Sequence, residues 1–399
     1  MGNPDFLVIG GGVIGLNVAM ELKRRHGDCT VRLLEKEAHC GEHASGRNSG
    51  VLHAGFYYTA DSLKARFTRE GNRLLAEYCE RKGLPINRCG KLVVARDEAE
   101  DRVLDELLRR ARHNGIELCE VDAKTAREIE PRAVTWQRAL FSPNTASVMP
   151  TAVMAALEGD ARRLGVEIER GTAYVRRDGD RIITNRGPMA AGYVVNAAGL
   201  YADSVARDFG FSEQYRILPF KGLYLKGNAG AAGFRTNIYP VPDLKQPFLG
   251  VHVTLVADGG IKLGPTALPA LWREQYRGLK NFHFGELLDI SLRGLGLFIN
   301  SDFDFKRLSI TEIRKRTRRH MVALATSLAK GIRESDFRHW APAGIRAQLL
   351  DVKKRKLEMD FVLQGDRRSM HILNAVSPGW TCSIPFSNYI CDEITRRSS

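Results

Sequence analysis

The chain has 399 residues, 44% of them hydrophobic, and 38 glycines, which predicts a two-domain α/β protein with ample core and many tight turns. Its seven cysteines are scattered, odd in number and form no Cys-x-x-Cys pair, so they suggest neither a zinc site nor a disulfide framework, and we expect a reducing cytoplasm and no bound metal. No apolar run approaches the roughly 18 residues that span a bilayer, and the first strand begins too early for a signal peptide to precede it. We therefore expect a cytoplasmic protein.

A glycine-rich turn follows the first predicted strand, Phe6–Ile9. Gly10, Gly12 and Gly15 have the G-x-G-x-x-G spacing, in which the glycines permit a tight turn, close approach of a pyrophosphate and close packing of the next helix. That helix, predicted over Val13–Arg25, would direct its N-terminal dipole at the phosphates. The pattern predicts a dinucleotide-binding unit at the start of the chain.

An acidic residue ends the second predicted strand, Val31–Glu35. Glu35 lies about 20 residues beyond Gly15, which is the separation typical of the carboxylate that binds a ribose 2′-hydroxyl. Because a carboxylate repels a 2′-phosphate, this position disfavours NADP. Strand, glycine triplet, helix, second strand and terminal acid occur in the expected order, which is far more specific than the glycines alone.

Helical and strand patterns alternate along the rest of the chain. Residues 43–55 are polar and glycine-rich and have too few apolar positions for core. Apolar spacing and helix-ending residues predict helices over 62–82, 98–114, 150–164, 202–209 and 384–395. Strands are predicted over 91–95, 166–169, 173–176, 181–184, 193–199, 343–352, 358–363 and 371–374, with an all-strand region over 219–263 and a mostly helical one over 268–332.

This alternation predicts a nucleotide-binding domain that is interrupted by insertions. Residues 1–90, 150–215 and 340–399 are expected to form a discontinuous Rossmann-like domain. Residues 91–149 and 216–339 are expected to form an inserted substrate-binding domain with a mixed sheet and helices.

Two further segments predict contacts with a long ligand. One predicted strand ends in the small residues Ala198 and Gly199, where a ligand can pass against bare backbone. Gly379, Trp380 and Thr381 precede the last helix and offer backbone donors at its N-terminus. Three such surfaces, far apart in sequence, suit an extended cofactor, so FAD fits better than NAD.

These motifs resemble the FAD-dependent oxidoreductases of the D-amino-acid oxidase superfamily, and within it the L-2-hydroxyglutarate dehydrogenase/oxidase family. The resemblance covers nearly the whole chain and weakens over 268–332. It implies bound FAD and oxidation of a small 2-hydroxy acid, L-2-hydroxyglutarate, to 2-oxoglutarate by hydride transfer to flavin N5. It also implies a quinone or oxygen as electron acceptor. The segments that carry it are GRNSGVLHAGFYY (46–58), SLKAR (62–66), EGNRLL (70–75), CGKLVVA (89–95), IYPVPD (238–243), FLGVH (248–252), AGIRAQ (343–348) and LNA (373–375).

Two segments depart from the family's pattern. Lys221, Gly222 and Leu223 stand where the family has Arg-Gly-Glu, so a planar guanidinium and a carboxylate are missing beside the expected active site. Trp380 adds bulk near the expected flavin. These departures leave open an amino-acid or amine oxidase of the same fold that acts on another substrate. A redox-inactive flavoprotein subunit and an NAD dehydrogenase are further alternatives, and the later flavin-like motifs argue against the NAD enzyme.

The fingerprint and the resemblance together imply a set of residues that hold FAD. Arg47, Asn48 and Ser49 are assigned to the flavin and pyrophosphate rather than to the substrate. The predicted cofactor-binding residues are Gly10, Gly12, Val13, Ile14, Gly15, Glu35, Lys36, Ser45, Arg47, Asn48, Ser49, Gly50, Val175, Ala198, Gly199, Gly344, Arg346, Gly379, Trp380 and Thr381.

Five residues are predicted to carry the chemistry. His53 is the first candidate for the base that takes the hydroxyl proton, because a neutral imidazole can accept it and the loop resembles one that lines the flavin. His252 is the second candidate. Arg346 can grip a substrate carboxylate with both guanidinium arms, and Lys221 can contact a second carboxylate. Tyr239 can donate a hydrogen bond to the substrate, although core packing explains a strand tyrosine equally well.

The formal net charge of +14 is concentrated in two basic runs, 306–319 and 353–356. Solvated helix or turn faces explain such runs most simply. Contact with anionic lipid at the inner face of a membrane is the second explanation. Nucleic-acid binding is disfavoured because no nucleic-acid module accompanies the charge. A positive field would also attract a small anionic acid as substrate.

Overall fold

The computed structural model describes residues 2–244, 248–299 and 305–398, and the side chains of 305–308 lie outside the described set. The strands are β1 (Phe6–Ile9), β2 (Val31–Glu35), β3 (Val51–Leu52), β4 (Ile86–Asn87), β5 (Lys91–Val94), β6 (Cys119–Asp122), β7 (Arg138–Ser142), β8 (Ala146–Val148), β9 (Glu167–Arg170), β10 (Tyr174–Asp178), β11 (Arg181–Thr184), β12 (Gly187–Met189), β13 (Tyr193–Asn196), β14 (Tyr215–Gly222), β15 (Leu225–Lys226), β16 (Asn237–Pro240), β17 (His252–Leu255), β18 (Ile261–Gly264), β19 (Leu268–Pro269), β20 (His339–Trp340), β21 (Gly344–Asp351), β22 (Lys356–Leu357), β23 (Val362–Gly365) and β24 (Ser369–Asn374). The helices are α1 (Val13–Arg25), α2 (Leu63–Arg81), α3 (Glu98–His113), α4 (Ala123–Ile129), α5 (Pro150–Arg163), α6 (Ala202–Asp208), α7 (Phe284–Ile299), α8 (Phe305–Arg314), α9 (Arg318–Thr326) and α10 (Ser383–Ser398).

The chain divides into two compact units. Unit 1 comprises Met1–Asn48, Pro150–Pro219 and Arg346–Ser399, and unit 2 comprises Ser49–Met149 and Phe220–Ile345. Three of the boundaries predicted from the sequence lie within six residues of these divisions. The fourth does not, because residues 49–90, which we assigned to the nucleotide domain, belong to unit 2.

The placement of residues 49–90 follows from a strand that the sequence concealed. The polar stretch 43–55, expected to contribute no core, contains the buried strand β3, which pairs with β8, and β4 pairs with the same strand. Helix α2 packs against β3 and β4. Two apolar residues are too few to show the alternation that predicts a strand, so β3 is recognised only from its pairing with β8 in the fold.

Unit 1 is built around a six-stranded sheet in the order β23-β24-β13-β1-β2-β9. Its strands are parallel except for β23, which runs antiparallel to β24. The apolar strands β1 and β2 are buried because helices cover a parallel sheet, and α1 packs against both α5 and α10. The predicted bounds of β1, α1 and β2 are confirmed.

Unit 2 is built around an eight-stranded sheet in the order β20-β15-β18-β17-β16-β5-β7-β6. Alternate residues share a face of such a sheet. One face is aliphatic and packs against α4 and α9; it includes Leu92, Val94, Ile238, Val253 and Leu263. The alternate positions of β5, β16 and β17 form the opposite face, which is partly polar.

Two predicted regions differ from the structure. Residues 358–363 do not form one strand: β22 ends at Leu357 and β23 begins at Val362. The carbonyl groups of Glu358 and Asp360 accept hydrogen bonds from the side chain of Asn374 in β24, and that of Glu358 also accepts one from the side chain of Gln348 in β21. The helical region over 268–332 begins with strand β19 and then contains α7, α8 and α9. Within the described residues, none of the helices is long and apolar enough to cross a membrane.

Candidate active site

The turn after β1 brings three backbone segments of unit 1 close together. Gly10 has a φ of +109°, and a Cβ at this position would lie 2.5 Å from the carbonyl oxygen of Ala197, just past β13. A Cβ on Gly15 would overlap the carbonyl oxygen of Gly10. Only glycine fits at both places. The turn therefore presents bare backbone beside the N-terminus of α1.

The carboxylate of Glu35 is buried beside this turn and is held by backbone donors. Its Oε2 accepts a 2.9 Å hydrogen bond from the N–H of Gly11, and its Oε1 accepts one of 2.8 Å from the N–H of Glu37. Each carboxylate oxygen can accept a second hydrogen bond. Glu35 is thus fixed in place and still able to accept from ribose hydroxyls, which fits the adenosine end of FAD.

The N-terminus of α1 is capped by a residue from another segment. Its N-cap residue, Gly12, has no side chain, and the N–H of Val13 donates instead to the Oγ of Ser45 over 2.9 Å. The Ser45 hydroxyl keeps its own hydrogen for another acceptor. Because the N–H groups of Ile14 and Gly15 follow in the first turn, this helix end fits the pyrophosphate of FAD.

Two other predicted cofactor residues shape the loop that carries Ser45. The Nε of Arg47 donates to the carbonyl oxygen of Glu42 over 2.6 Å. The Nδ2 of Asn48 donates to the carbonyl oxygens of Ala44 and Ser45, over 3.2 and 2.8 Å. These bonds hold the loop in the conformation that caps α1, so both side chains support the predicted site through the backbone.

The other predicted cofactor residues of unit 1 between positions 36 and 199 lie at separate places. Lys36 forms an ion pair with Glu37, and the N–H of Ala198 donates to Asn196 over 3.1 Å. Gly199 begins a short 3-10 turn, Gly199–Tyr201. Val175 lies at a bulge in β10 with its side chain 55% exposed. Its role stays a prediction.

The segment before α10 contains a buried donor. Gly379 and Thr381 are buried, and the indole Nε1 of Trp380 is buried with no hydrogen-bond partner among the described residues. The Oγ of Ser383, at the start of α10, is likewise buried and makes no hydrogen bond there. Donors gathered at a helix N-terminus without a protein acceptor fit an electron-rich ligand group, as the sequence predicts for FAD.

In unit 2, the structure brings Tyr239 and His252 together on the polar face of the eight-stranded sheet. Their rings stack with centroids 3.7 Å apart. The Nδ1 of His252 bonds to the carbonyl oxygen of Gly250 over 2.9 Å, and burial, with contributions from the charges of Lys91 and Lys315, lowers the pKa of His252 to about 3. A histidine with so low a pKa holds a proton poorly, so it suits hydrogen bonding better than general-base catalysis.

Lys91 joins this pair and was not predicted from the sequence. It begins β5, and its Nζ lies 4.6, 4.7 and 4.9 Å from the ring centroids of Phe56, Tyr57 and Tyr239. The side chain is fully buried, and burial lowers its pKa to about 7. The sequence shows only a lysine at the start of the apolar run Lys-Leu-Val-Val, which does not identify the rings around it. We call Lys91, Phe56, Tyr57, Tyr239, His252 and Thr254 the Lys91 cluster.

His53 follows β3 and is half-buried. Its backbone is held by Asn72 of α2, whose Nδ2 donates to the carbonyl oxygens of Leu52, His53 and Asn144 over 2.9, 3.2 and 3.0 Å. Asn72 lies in the segment EGNRLL (70–75), which carries part of the family resemblance, and it is not among the site residues that the sequence predicts. It is a positioning residue for the turn that carries the predicted base.

The other predicted residues lie on separate elements. Lys221 is half-buried on β14, where its pKa is lowered by burial and by the charge of Arg316. Arg346 is half-buried in β21 and opens the last segment of unit 1. Three predicted cofactor residues belong to unit 2, namely Ser49, Gly50 and Gly344.

A model of one protein family matches almost the entire chain. The match covers residues 5–392, and the family is described as DAO, FAD dependent oxidoreductase. The chain therefore belongs to the DAO family of FAD-dependent oxidoreductases, and FAD is its cofactor.

Within this family the chain is similar to L-2-hydroxyglutarate dehydrogenases. It is 35% identical over 420 residues to the mitochondrial L-2-hydroxyglutarate dehydrogenase of Homo sapiens, covering 98% of this chain and 89% of that protein. It is 33% identical over 398 residues to the L-2-hydroxyglutarate dehydrogenase of Escherichia coli K12, covering 98% and 93%. The family resemblance and the cofactor predicted from the sequence are confirmed.

Two solved structures share the fold. The L-alpha-glycerophosphate oxidase of Mycoplasma pneumoniae with FAD bound has a TM-score of 0.77 at 21% identity, covering 99% of this chain and 95% of that one. The glycine oxidase of Geobacillus kaustophilus has a TM-score of 0.76 at 20% identity, covering 100% and 96%. The predicted fold class, a Rossmann-like FAD-binding fold with a mixed-sheet substrate domain, is confirmed.

Proposed function

We propose that this protein oxidises L-2-hydroxyglutarate to 2-oxoglutarate. The observation that carries the proposal is the polar face of unit 2, where Tyr239 and His252 stack beside the cationic side chain of Lys91, with Lys315 also acting on His252. Such a face suits a small anionic substrate. The relatives named L-2-hydroxyglutarate dehydrogenases supply the particular acid.

Each predicted residue has a role in this reaction. Arg346 and Lys221 bind the two carboxylates, and Tyr239 donates a hydrogen bond to the substrate. His53 takes the hydroxyl proton as C2 becomes a carbonyl, and His252 orients the substrate as a neutral hydrogen-bonding group. When bound, FAD accepts the hydride that leaves C2.

An anaerobic titration tests the proposal. The FAD-loaded protein is mixed with L-2-hydroxyglutarate, and the visible flavin band is followed. We expect bleaching by the L form and none by the D form. An unchanged spectrum with the L form would reject this substrate while leaving the family assignment intact.

The second candidate is an amino-acid or amine oxidase of the same fold. It is favoured by Lys221 and Leu223, which replace an arginine and a glutamate of the family's pattern. The same titration with L-glutamate and other amino acids separates the two, because amine oxidation releases ammonia and hydroxy-acid oxidation does not.

We further propose that the electron acceptor is a membrane quinone and that the protein binds the inner face of a membrane at its surface. An apolar stripe on α7 supports this, because its side chains recur every three or four residues and are 53% to 75% exposed. The stripe consists of Phe284, Leu288, Leu292, Leu295 and Ile299. Aliphatic and aromatic side chains on one exposed helix face are typical of interfacial helices.

Basic side chains accompany this stripe in unit 2. Arg314, Arg316, Arg318 and Arg319 are exposed around the end of α8, which packs against α7. The same basic run includes Lys306 and Arg307, whose side chains lie outside the described residues. Lys315 is different, because it is buried and ion-paired with Glu312. Apolar and cationic groups together suit a bilayer that contains anionic lipid.

Vesicle co-sedimentation tests the membrane proposal. We expect binding to vesicles of phosphatidylglycerol and phosphatidylcholine, weaker binding to phosphatidylcholine alone, and faster reduction of a quinone placed in the vesicles. Leu292→Glu should abolish binding, whereas Met359→Glu, which also changes an exposed apolar residue, should not. Equal binding by both variants, or reduction of oxygen but no quinone, would contradict the proposal.

A further inference from the structure

The ammonium group of Lys91 is buried in unit 2 without a counter-charge. Its Nζ faces the rings of Phe56, Tyr57 and Tyr239, all within 5 Å of their centroids. Among the described residues it forms neither a hydrogen bond nor an ion pair. Ring faces attract a cation but do not neutralise it. The positive charge therefore remains available to act on neighbouring groups.

The groups around Lys91 do not include a carboxylate that could compensate it. The titratable side chains that act on Lys91 or its neighbours are Tyr57, Tyr58, Cys89, Tyr224, Tyr239, His252 and Lys315. A tyrosine ordinarily loses its proton only at about pH 10. Burial raises the pKa of Tyr57, Tyr239 and Cys89, and His252 is neutral, so none of these side chains supplies a negative charge at pH 7. Lys315 already pairs with Glu312.

Several polar atoms of the Lys91 cluster also lack partners. The hydroxyl groups of Tyr57, Tyr239 and Thr254 are buried and make no hydrogen bond of standard geometry among the described residues. Buried polar groups in folded proteins are normally satisfied, and those that are not call for a ligand or an ordered water. The hydroxyls can donate or accept, but the Lys91 ammonium has donors only, so the partner that it lacks is an acceptor.

Packing alone does not account for a lysine at this position. A buried, unpaired charge costs folding free energy, and an apolar side chain of similar length would fill the same space without that cost. Groups retained against stability are concentrated at functional sites.

We propose that Lys91 is a positioning residue whose uncompensated charge acts through Tyr239 and His252 to make the site of unit 2 selective for anionic over neutral ligands. The inference deepens the proposed function, since it concerns binding of the dicarboxylate rather than its oxidation. The charge stabilises a carboxylate bound beside the Tyr239 hydroxyl and adds to the effect of burial, which keeps His252 neutral. Deprotonation of Lys91 removes the attraction for the carboxylate, whereas burial still keeps His252 neutral.

The geometry makes this effect dependent on pH. Because burial lowers the pKa of Lys91 to about 7, the charge is lost as the pH rises from 6.5 to 8.5. Affinity for a dianion should fall over that interval, whereas affinity for its neutral diamide should not.

Calorimetric titration of the FAD-loaded protein with glutarate and with glutaramide measures these affinities without turnover. We expect the Kd for glutarate to rise about tenfold between pH 6.5 and 8.5. In Lys91→Met it should be at least about tenfold weaker at pH 6.5 and nearly independent of pH. Lys91→Arg keeps the charge at both pH values and should bind tightly without the pH dependence.

Lys262→Met is the matched control, because Lys262 is a partly buried lysine of the same sheet that lies outside the Lys91 cluster. It should retain both the wild-type affinity and its pH dependence. Thermal unfolding of each variant reports whether it is folded. If Lys91→Met does not fold, the inference is tested by comparing how the Kd for glutarate changes with pH in the wild type and in Lys91→Arg.

Two results would overturn the inference. The first is a Lys91→Met variant with the affinity and pH dependence of the wild type, and the second is a wild type whose dianion affinity does not change with pH. Malonate and succinate extend the test to other chain lengths. If they show the Lys91-dependent effect while glutarate does not bind, the proposed substrate fails and the inference stands. If none of the three anions binds at pH 6.5, the inference fails.

Discussion

The two units present different kinds of predicted ligand-binding surface. In unit 1 the predicted cofactor surface is mostly backbone, formed where the turn at Gly10 and Gly15 leaves no space for side chains and where Ser45 caps α1. In unit 2 the candidate substrate surface is made of side chains from different strands, as with Lys91, Tyr239 and His252. Backbone recognition needs a local sequence pattern, whereas side-chain recognition needs a fold that brings distant residues together.

The largest effect should come from filling the backbone surface. In Gly15→Ala the new Cβ would overlap the carbonyl oxygen of Gly10, so the turn must move away from the position that fits the pyrophosphate. We expect purified Gly15→Ala to contain little or no FAD, measured as the ratio of flavin to protein absorbance. Gly27→Ala is the control, because a Cβ there meets no atom within 4 Å. Normal flavin content in Gly15→Ala would show that FAD binding does not require bare backbone at this turn.

The next largest effect should separate the two histidines of unit 2. If His53 is the base, His53→Gln should lower kcat for L-2-hydroxyglutarate by about 10²- to 10⁴-fold. His252→Gln should lower it far less and mainly raise KM, because the pKa of about 3 leaves His252 a poor proton acceptor. Steady-state kinetics across pH would check both variants. A larger kcat loss in His252→Gln than in His53→Gln would reverse the assignment.

A smaller effect is expected at the carboxylate of unit 1. Glu35→Gln replaces an acceptor-only group by an amide, whose NH₂ must face the N–H of either Gly11 or Glu37. We expect FAD affinity to fall about tenfold to a hundredfold, measured by fluorescence titration of the apoprotein. Glu167→Gln, a partly exposed glutamate in the same sheet, is the control. An unchanged affinity would mean that the ribose does not bind at Glu35.

The contrast between the units also explains what the sequence could reveal. The bounds of β1, α1 and β2 and the positions of Gly10 and Glu35 follow from spacing along one continuous stretch, so they could be predicted. Lys91 could not, because a single lysine at the start of a strand gives no sign of the three rings that surround it. The rings come from the segment after β3 and from β16, and only the folded sheet places them together.

The same reasoning applies to Asn72 and to strand β3. Asn72 binds three carbonyl groups that lie up to 72 residues away, and no local pattern encodes such a contact. Strand β3 has two residues, fewer than a period-2 pattern needs to be recognised. What the sequence concealed in both cases was a long-range partner.

The last prediction concerns stability rather than ligand binding or turnover, and it isolates the cost of the Lys91 charge. The pKa of Lys91 is about 7 in the folded protein and near 10.5 when the side chain is exposed to solvent. Between these values the unfolded chain binds more protons than the folded one, so this residue makes the free energy of unfolding rise with pH from about 7 to about 10.5. Below pH 7 the full cost is present, on the order of a few kcal/mol.

Lys91→Met removes this contribution and keeps contact with the rings through its thioether. The variant should therefore be more stable than the wild type at pH 6.5, and the difference should shrink as the pH approaches 10. Urea unfolding of both FAD-loaded proteins at several pH values measures it, with Lys262→Met as the matched lysine substitution. A difference that stays constant with pH would mean that the folded and unfolded chains bind the same number of protons, so that burial does not lower the pKa of Lys91. The amine would then keep its charge throughout this pH range, and the pH-dependent anion affinity proposed for unit 2 would need another source.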